Sequence, residues 1–294
     1  MENISQTILK DFRVLEVGQG TASGWCGRML LDFGARVYRL NDKSLEELKD
    51  KGVCVEEAHI NKNLKEWLNY DKKEQENIEY SNFDLILIAE TIHGFKLSDS
   101  DNSIVVDLSW FGEKGIYSNW KGSDITIQAL AGTIYPVGPK EETPIFTGET
   151  EASIIGGTNA FIASVVAILE NRINKKTNVS ILESNMILGE LQSSDSIRFG
   201  KPNSREGINR FFPTCPLGIY KCKTGWLGTT VITLPQWKSF CELLDLQDLF
   251  YKHDLNSIQK RSENIDFLED LIKERLRLKG AKEWAKLGRE KRIP

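Results

Sequence analysis

The sequence predicts an α/β fold: a doubly wound, mostly parallel sheet of Rossmann-like type, joined to a smaller α+β domain. The chain opens with a strand, a glycine-rich turn, a helix and a second strand. This unit implies parallel strands joined by a right-handed crossover. Two continuous apolar runs follow at residues 83–89 and 103–108, as expected for strands that are covered on both faces.

The pattern of apolar residues and glycines places the first elements in order. A buried strand is predicted over residues 13–17 and a glycine-rich turn over 18–24. A helix then extends to Leu31, and the second strand covers residues 35–40 after the break at Gly34. The lysine- and glutamate-rich composition of residues 43–82 indicates solvated helices.

The middle of the chain predicts two helices and a strand. The first helix covers residues 124–131, with Ser123 or Asp124 as its N-cap. A long apolar helix over 154–171 leads to a strand over 178–182.

After Gly200 the character of the sequence changes. A hairpin is predicted over residues 220–234, turning at Thr224-Gly225. Helices are predicted over residues 237–244, 264–278 and 281–289. We therefore expect a large domain over 1–217 and a small α+β domain over 218–294.

Composition excludes several classes of protein. The 38 basic and 42 acidic residues give a net charge of −4, so total charge implies no basic surface for nucleic acid. No apolar run approaches the roughly 18 residues of a membrane helix, and the N-terminus lacks the pattern of a signal peptide. We expect a cytoplasmic protein.

The five cysteines form no CxxC pair and only three histidines are present, so no metal site is expected.

The glycine-rich turn by itself suggests a nucleotide-binding protein. Residues 14–22 (VLEVGQGTA) resemble the first motif of S-adenosylmethionine-dependent methyltransferases, and Asp42 lies where an acid often binds a ribose. Such a turn brings backbone amides close to a ligand at a helix N-terminus. It also occurs wherever a strand meets a helix tightly, so its specificity is low.

Six segments of the sequence carry a further resemblance, and they cover residues 13–40, 106–138, 156–172, 178–184, 220–237 and 282–294. Taken in order, they resemble the class III CoA-transferase family, which contains formyl-CoA and carnitine CoA-transferases and α-methylacyl-CoA racemase. A methyltransferase accounts only for the first hundred residues. The resemblance implies an enzyme that moves coenzyme A between carboxylic acids after a carboxylate side chain attacks the acyl-CoA thioester.

The residues that align with the family's catalytic groups are altered. The nucleophilic aspartate falls on Ser153, or on Ile154 if the alignment slips by one, and neither side chain can form a mixed anhydride. The racemase histidine falls on Ser123, so racemisation is not expected. Glu151 is a candidate replacement carboxylate, or else a solvated loop acid. Ser153 itself is either a hydroxyl nucleophile without an evident base or a cap of the following helix.

The positions that the resemblance assigns to CoA binding are better kept. The turn after the first strand would cradle the nucleotide portion through Gly20, Thr21 and Ala22. Arg39, at the end of the second strand, has a charge suited to phosphate. The segment between residues 41 and 60 is shortened relative to the family.

Three functional hypotheses follow from the resemblance and its departures. The first is a class III CoA-transferase-like enzyme that acts on an acyl-CoA or acyl-carrier thioester with altered active-site residues. The second is a catalytically degenerate thioester-binding protein or partner subunit, and the third is a methyltransferase-like Rossmann protein.

Family chains form interlocked dimers and return to the large domain beyond the point that matches Pro294. We therefore expect a homodimer, or a complex with a partner subunit.

Overall fold

The computed structural model describes residues 8–18, 20–40, 66–68, 80–90, 102–173, 175–200, 205–211, 214–251 and 254–294. The chain divides into two compact units. Unit 1 comprises Met1–Tyr135 and Ile145–Asn203, and unit 2 comprises Pro136–Pro144 and Ser204–Pro294. The predicted boundary between residues 217 and 218 lies inside unit 2. Asp42 lies outside the described residues.

Unit 1 is built on a parallel sheet whose order, in the described part of the chain, is β3-β2-β1-β4-β5-β6. This order is that of dinucleotide-binding sheets, in which ligands bind where the winding reverses, here between β1 and β4. The predicted doubly wound fold is confirmed. The strands are β1 (Arg13–Val17), β2 (Arg36–Leu40), β3 (Glu66–Leu68), β4 (Leu85–Ile88), β5 (Ile104–Ser109) and β6 (Lys176–Ser180).

Both faces of the sheet are buried at its central strands β1, β4 and β5, as the continuous apolar runs predict. Alternate residues of one strand enter two different cores, because side chains alternate between the faces of a sheet. In β4, Leu85 and Leu87 pack with the core under α1, whereas Ile86 and Ile88 pack on the opposite face with Leu15. The strand at residues 66–68 corrects the prediction of solvated helices across that part of the chain.

Five helices complete the described part of unit 1. They are α1 (Thr21–Asp32), α2 (Asp124–Ala131), α3 (Glu151–Leu169), α4 (Ile181–Met186) and α5 (Glu190–Phe199). The predicted bounds of α2 are confirmed, with Ser123 at the N-cap position.

The predicted bounds of α3 (154–171) and of β6 (178–182) are wrong at both ends, since the structure has Glu151–Leu169 and Lys176–Ser180. α3 begins at Glu151 rather than at 154, with Thr150 at its N-cap position. The strand expected to reach residue 182 ends at Ser180, whose hydroxyl accepts a hydrogen bond from the Glu183 amide (3.2 Å) and starts α4. The apolar pair after Ser180 extends a strand pattern, but the capping serine determines the boundary.

α1 and α3 pack closely through a glycine. A Cβ atom at Gly157 would collide with the Ala22 carbonyl oxygen and lie 3.0 Å from Trp25 Cβ. The Trp25 indole also donates a hydrogen bond to the Thr158 hydroxyl (3.0 Å). The absence of a side chain at Gly157 therefore allows the second turn of α3 to lie beside the first turn of α1.

α3 is long and apolar enough to cross a membrane by length and composition, and among the described residues it is the helix that passes this test. This corrects the expectation that no apolar run approaches that length. Its packing against α1 through Gly157 and against Ile181 through Gly156 is typical of a helix in the core of an α/β domain.

Unit 2 contains an antiparallel hairpin of β7 (Leu217–Lys221) and β8 (Trp226–Thr230). Its turn lies where predicted, with Gly225 at φ +79°, but its strands cover 217–230 rather than 220–234. Its core includes Tyr220, Trp237 and Phe240. The described helices of this unit are α6 (Leu234–Leu243), α7 (Gln247–Tyr251), α8 (Ile258–Glu263), α9 (Ile265–Leu276) and α10 (Ala281–Glu290).

Candidate active site

A buried carboxylate lies where the winding of the sheet reverses. β1 and β4 are neighbours, and beyond their ends the Ala89 amide donates to the Val17 carbonyl (2.9 Å). Glu90 follows at once and is 1% exposed. Its Oε1 accepts a hydrogen bond from the Ala22 amide (3.0 Å), and its Oε2 accepts one from the Ser23 amide (3.3 Å). Glu90 thus occupies the amides of the first turn of α1.

The glycine-rich turn accommodates this carboxylate. A Cβ atom at position 20 would collide with the carboxyl group of Glu90. Burial raises the pKa of Glu90 to about 7, although its hydrogen bonds from α1 act in the opposite direction. A phosphate at Gly20, Thr21 and Ala22 would have to displace Glu90 or share these amides with it. The CoA-binding role of these three residues stays a prediction.

Arg39 is also engaged inside the protein. Its guanidinium donates to the carboxylate of Glu16, and both side chains are fully buried between β1 and β2. A buried charge pair is strongly destabilised when one partner is removed, because the other charge is left without compensation. The predicted contact between Arg39 and phosphate would require its guanidinium to face away from Glu16. It stays a prediction.

A second carboxylate lies at the first turn of α3. Asp124 is the first residue of α2, yet its side chain bonds to the other helix. Oδ1 accepts the Ser153 amide (2.9 Å) and Oδ2 accepts the Ser153 hydroxyl (2.6 Å). Burial raises the pKa of Asp124, and the hydrogen bonds from Ser153 oppose this rise. The structure therefore brings a carboxylate within hydrogen-bond distance of Ser153, to which the resemblance assigns the nucleophilic aspartate.

Glu151 lies in the same cluster. As the first residue of α3, it receives a hydrogen bond from the Thr147 hydroxyl, which also lies 2.9 Å from Gln128 Oε1. The Gln128 amide nitrogen in turn donates to the Gly148 carbonyl (3.0 Å). The negative charge of Glu151 contributes to the raised pKa of Asp124, after the larger effect of burial.

The remaining predicted positions differ in exposure. Ser153 is 1% exposed and is the third residue of α3, so it is not the N-cap. Ile154 continues the helix, and its amide donates to the Thr150 carbonyl (2.9 Å). Ser123 is exposed, with its hydroxyl 2.9 Å from that of Thr126. Asp124 is half-buried, so among these residues it combines a carboxylate with access to solvent.

Sequence reasoning missed both Glu90 and Asp124 as parts of this region. Asp124 directly follows Ser123, inside a segment that resembles the family, so its neighbourhood was a usable signal. Glu90 ends an apolar strand, and its contacts lie 67 and 68 residues away along the chain. No local pattern indicates such a pairing.

Unit 2 contains a separate open cavity of about 250 Å³. Arg210, one of its lining residues, donates to Asp266 and Glu269, so this guanidinium is already neutralised. The lining contains none of the positions that the resemblance assigns to catalysis or CoA binding. Its residues are Glu206, Asn209, Arg210, Phe211, Thr214, Cys215, Ser262 and Ile265. Within the described ranges, no group of three or more His, Cys, Asp or Glu side chains is arranged to hold a metal ion.

The strand order, the α1 turn and the polar groups at the start of α3 define a doubly wound α/β protein with its candidate site at the helix N-termini. The family profile of CoA-transferase family III matches residues 101–294, and the chain belongs to this family. The resemblance inferred from the sequence segments is confirmed.

Curated relatives with similar sequences include a racemase and CoA-transferases. The chain is 25% identical to mouse (Mus musculus) alpha-methylacyl-CoA racemase, over 74% of this chain and 54% of that enzyme. It is 20% identical to succinate–glutarate CoA-transferase of Agrobacterium fabrum, over 81% and 66%. It is 21% identical to (R)-2-hydroxy-4-methylpentanoate CoA-transferase of Clostridioides difficile, over 98% and 78%. The chain thus spans about half the length of the racemase and just under two thirds of the Agrobacterium enzyme.

Solved structures support the same fold. A CAIB/BAIF family protein from Brucella suis superposes with a TM-score of 0.75 at 20% identity, covering 98% of this chain and 83% of that one. A hypothetical protein from Mycobacterium tuberculosis gives a TM-score of 0.75 at 19% identity, covering 98% and 82%. Both similarities concern the fold alone.

Proposed function

We propose that this chain binds an acyl-CoA thioester in unit 1 and transfers its CoA to a carboxylic acid. Coenzyme A is then a substrate, and the proposal requires no metal. The observation that supports transfer is the pair of carboxylates, Asp124 and Glu151, at the first turn of α3 beside Ser153. A carboxylate at this place could accept the acyl group of a thioester, as the family chemistry requires.

The main alternative is a catalytically degenerate protein that binds an acyl-CoA or acyl-carrier thioester, or serves as a partner subunit. The substitutions at Ser153 and Ile154 favour it, because the family's aspartate is absent from its own position. We do not propose racemisation, since Ser123 and Ser153 present hydroxyl groups where a racemase needs two proton-transferring bases.

The methyltransferase-like interpretation is set aside. It rests on residues 14–22 and on Asp42, whereas the family match covers residues 101–294. The amides at the start of α1, which either ligand would use, are bonded to Glu90 in this structure.

We also propose that the chain forms a homodimer. The exposed face of α3 carries Ile162, Val166 and Leu169, at 53%, 41% and 81% exposure. Their spacing places them on one stripe of the helix, and such an apolar surface commonly marks an interface. Analytical ultracentrifugation should show a dimer at micromolar concentration. A stable monomer would contradict this proposal, and assembly only with a second protein would favour the partner-subunit alternative.

A cytoplasmic location is proposed on the state of the thiols. Four cysteines in the described ranges are free and buried, namely Cys26, Cys215, Cys222 and Cys241. Free thiols are the usual state in a reducing compartment.

Ligand binding and turnover test the proposed function separately. CoA should raise the melting temperature and S-adenosylmethionine should not, since a ligand that binds only the native state adds about 2.7 kcal/mol at a hundred times its Kd. Turnover is measured with succinyl-CoA or acetyl-CoA and with glutarate or 2-hydroxy-4-methylpentanoate as acceptor. New acyl-CoA, detected by mass spectrometry, is the expected result.

A matched variant controls for nonspecific loss of activity. Glu149 is an exposed acid of the loop before α3, and Glu149→Gln should leave both binding and turnover unchanged. Binding of CoA without transfer to any acceptor would favour the degenerate alternative. A chain that neither binds CoA nor transfers it would refute the proposed function.

A further inference from the structure

We infer that Asp124 is the residue that attacks the acyl-CoA thioester, in place of the aspartate that position 153 lacks. This inference rests on the proposed transferase function. It assigns the covalent step to one side chain and so excludes Glu151, the carboxylate that sequence position alone favours.

Geometry places the carboxylate of Asp124 beside Ser153, the position that the resemblance assigns to the nucleophilic aspartate. In serine the Oγ atom is bonded to Cβ, and in aspartate the carboxyl carbon is bonded to Cβ, so the two atoms occupy nearly the same place. Asp124 Oδ2 lies 2.6 Å from Ser153 Oγ. A carboxylate oxygen from α2 therefore lies within hydrogen-bond distance of the place that the carboxyl carbon of an aspartate at position 153 would occupy.

The donors around Asp124 orient its carboxylate for attack. The amide and hydroxyl of Ser153 bond one oxygen each, and the N-terminus of α3 favours a negative charge at this point. Partial burial removes water that would otherwise weaken the nucleophile. Ser153 is 1% exposed whereas Asp124 is half-buried, so a thioester can approach Asp124 more readily than the hydroxyl of Ser153.

Glu151 has a different environment. Residues two apart in a helix project about 200° away from each other, so Glu151 and Ser153 point to different sides of α3. The carboxylate of Glu151 is bonded by Thr147 from the preceding loop. Its charge acts on Asp124 from a distance, and we assign it no covalent role.

The covalent step balances without further reactants. An oxygen of the ionised Asp124 carboxylate attacks the thioester carbonyl carbon, the C–S bond breaks, and CoA leaves as a thiolate, giving a mixed anhydride. The thiolate then attacks the Asp124 carbonyl carbon, which releases the donor acid as a carboxylate and leaves an aspartyl-CoA thioester. The acceptor carboxylate repeats the two steps in reverse order, so neither a proton nor an electron is gained or lost overall.

Three neutral variants of acidic residues compare the candidates directly. Asp124→Asn keeps an acceptor for the Ser153 amide but cannot form an anhydride, and should lower kcat by about a thousandfold or more. Glu151→Gln should change kcat by less than about tenfold, and Glu149→Gln should leave it unchanged. A CoA-induced rise in melting temperature in all three variants shows that the site is folded. Equal turnover of Asp124→Asn and wild type would overturn the inference.

Covalent trapping in the unaltered protein does not depend on any variant folding. Incubation with succinyl-CoA followed by borohydride reduces an aspartyl-CoA thioester to an alcohol and releases CoA. Peptide mass mapping should find the altered residue at position 124. An altered residue at 151 would overturn the inference while leaving the transferase proposal intact, and a wild type that transfers no CoA would overturn both.

Ser153→Asp is a variant for which the inference and its alternative predict opposite changes in turnover. If Asp124 is the nucleophile, a second carboxylate in contact with it should lower turnover, because two adjacent carboxylates cannot both ionise readily. If the site merely lacks its aspartate, this variant should gain activity. A gain in turnover together with a covalent adduct at position 153 would refute the role of Asp124.

Discussion

The N-termini of α1 and α3 each bond a carboxylate from another element, and the two carboxylates differ in their exposure to solvent. At α1, the amides of Ala22 and Ser23 bond to Glu90, which reaches them from the end of β4 and is sealed from solvent. At α3, the amide of Ser153 bonds to Asp124, which reaches it from α2 and stays half-exposed. Each helix start is satisfied by a carboxylate that belongs to another element.

The degree of burial distinguishes the roles of Glu90 and Asp124. Burial raises the pKa of both groups, and for Glu90 it raises the pKa to about 7. Glu90 has amide donors and a glycine against it, which fix its position and leave no room for a substrate carbon. Asp124 has a hydroxyl donor and an open side. The same carboxylate-to-amide arrangement is therefore structural at α1 and available for chemistry at α3.

The largest effect is expected where α1 and α3 pack against each other. Gly157→Ala should destabilise the protein by about 2–3 kcal/mol, because the new methyl group would collide with the backbone oxygen of Ala22. Glycine to alanine within an exposed helix normally stabilises by up to about 1 kcal/mol, so the sign of the change is informative. Urea denaturation measures it.

Gly148→Ala is the matched control. Gly148 has open space where a Cβ atom would be placed, so the change in unfolding free energy should stay within about 0.5 kcal/mol. Equal effects of the two substitutions would mean that α1 and α3 do not pack as described, and the comparison of their starts would fail.

An intermediate effect is expected from Glu90→Gln, through the pH dependence of stability. The pKa of Glu90 is raised in the folded state above its ordinary value of 4.5. Its favourable contribution is therefore complete below about pH 4.5 and is lost as pH rises to about 7, with a slope of at most about 1.4 kcal/mol per pH unit. The substitution should flatten this part of the stability profile.

The neutral side chain also has a cost of its own. At pH 5 the Glu90 carboxyl is mostly protonated, and both of its oxygens can still accept a hydrogen bond. Glutamine has an NH2 group in place of one oxygen, so one amide of α1 loses its acceptor and stability at pH 5 should fall by roughly 1 kcal/mol. Urea denaturation between pH 5 and pH 8 measures both changes, with Glu149→Gln as the exposed control. An unchanged slope in Glu90→Gln would show that Glu90 does not titrate in the enclosed state.

The smallest effect is expected from Ser153→Ala. Loss of the hydroxyl donor should raise the pKa of Asp124 further, because that hydrogen bond lowers it, and should destabilise the protein by roughly 1 kcal/mol or less. Carbon-13 NMR of the labelled carboxyl groups measures the titration. The pKa of Glu90 should not change. A change in the pKa of Glu90 instead of that of Asp124 would contradict the difference that we describe between the two carboxylates.

Short-range signals explain why much of the fold was predictable. The turn at Gly18–Gly20 and the apolar runs locate β1, α1 and β4, and the residues at the start of α2 give its bounds correctly. The errors occur where two local signals compete. Ser180 ends β6 because a capping hydroxyl outweighs the apolar pattern beyond it, and α3 starts early because Glu151 is a favourable first-turn residue.

The site was less predictable because its pairs are distant in sequence. The charge of Arg39 predicts a contact with phosphate, but Glu16, inside an otherwise apolar strand, pairs with Arg39 across the sheet. The segment around Ser153 contains no evident base, yet Asp124 supplies a carboxylate from 29 residues away. A single sequence contains the members of such pairs and not the pairing, which tertiary structure creates.

The residue that position 20 can accept consequently depends on the side chain at position 90. The backbone at Gly20 is extended (φ 177°), a conformation open to every residue, so glycine is needed there for space alone. A larger residue at 20 becomes compatible only when the side chain at 90 is shortened, and the two amides of α1 would then need a new acceptor. Anyone redesigning this turn to admit a phosphate should change both positions together.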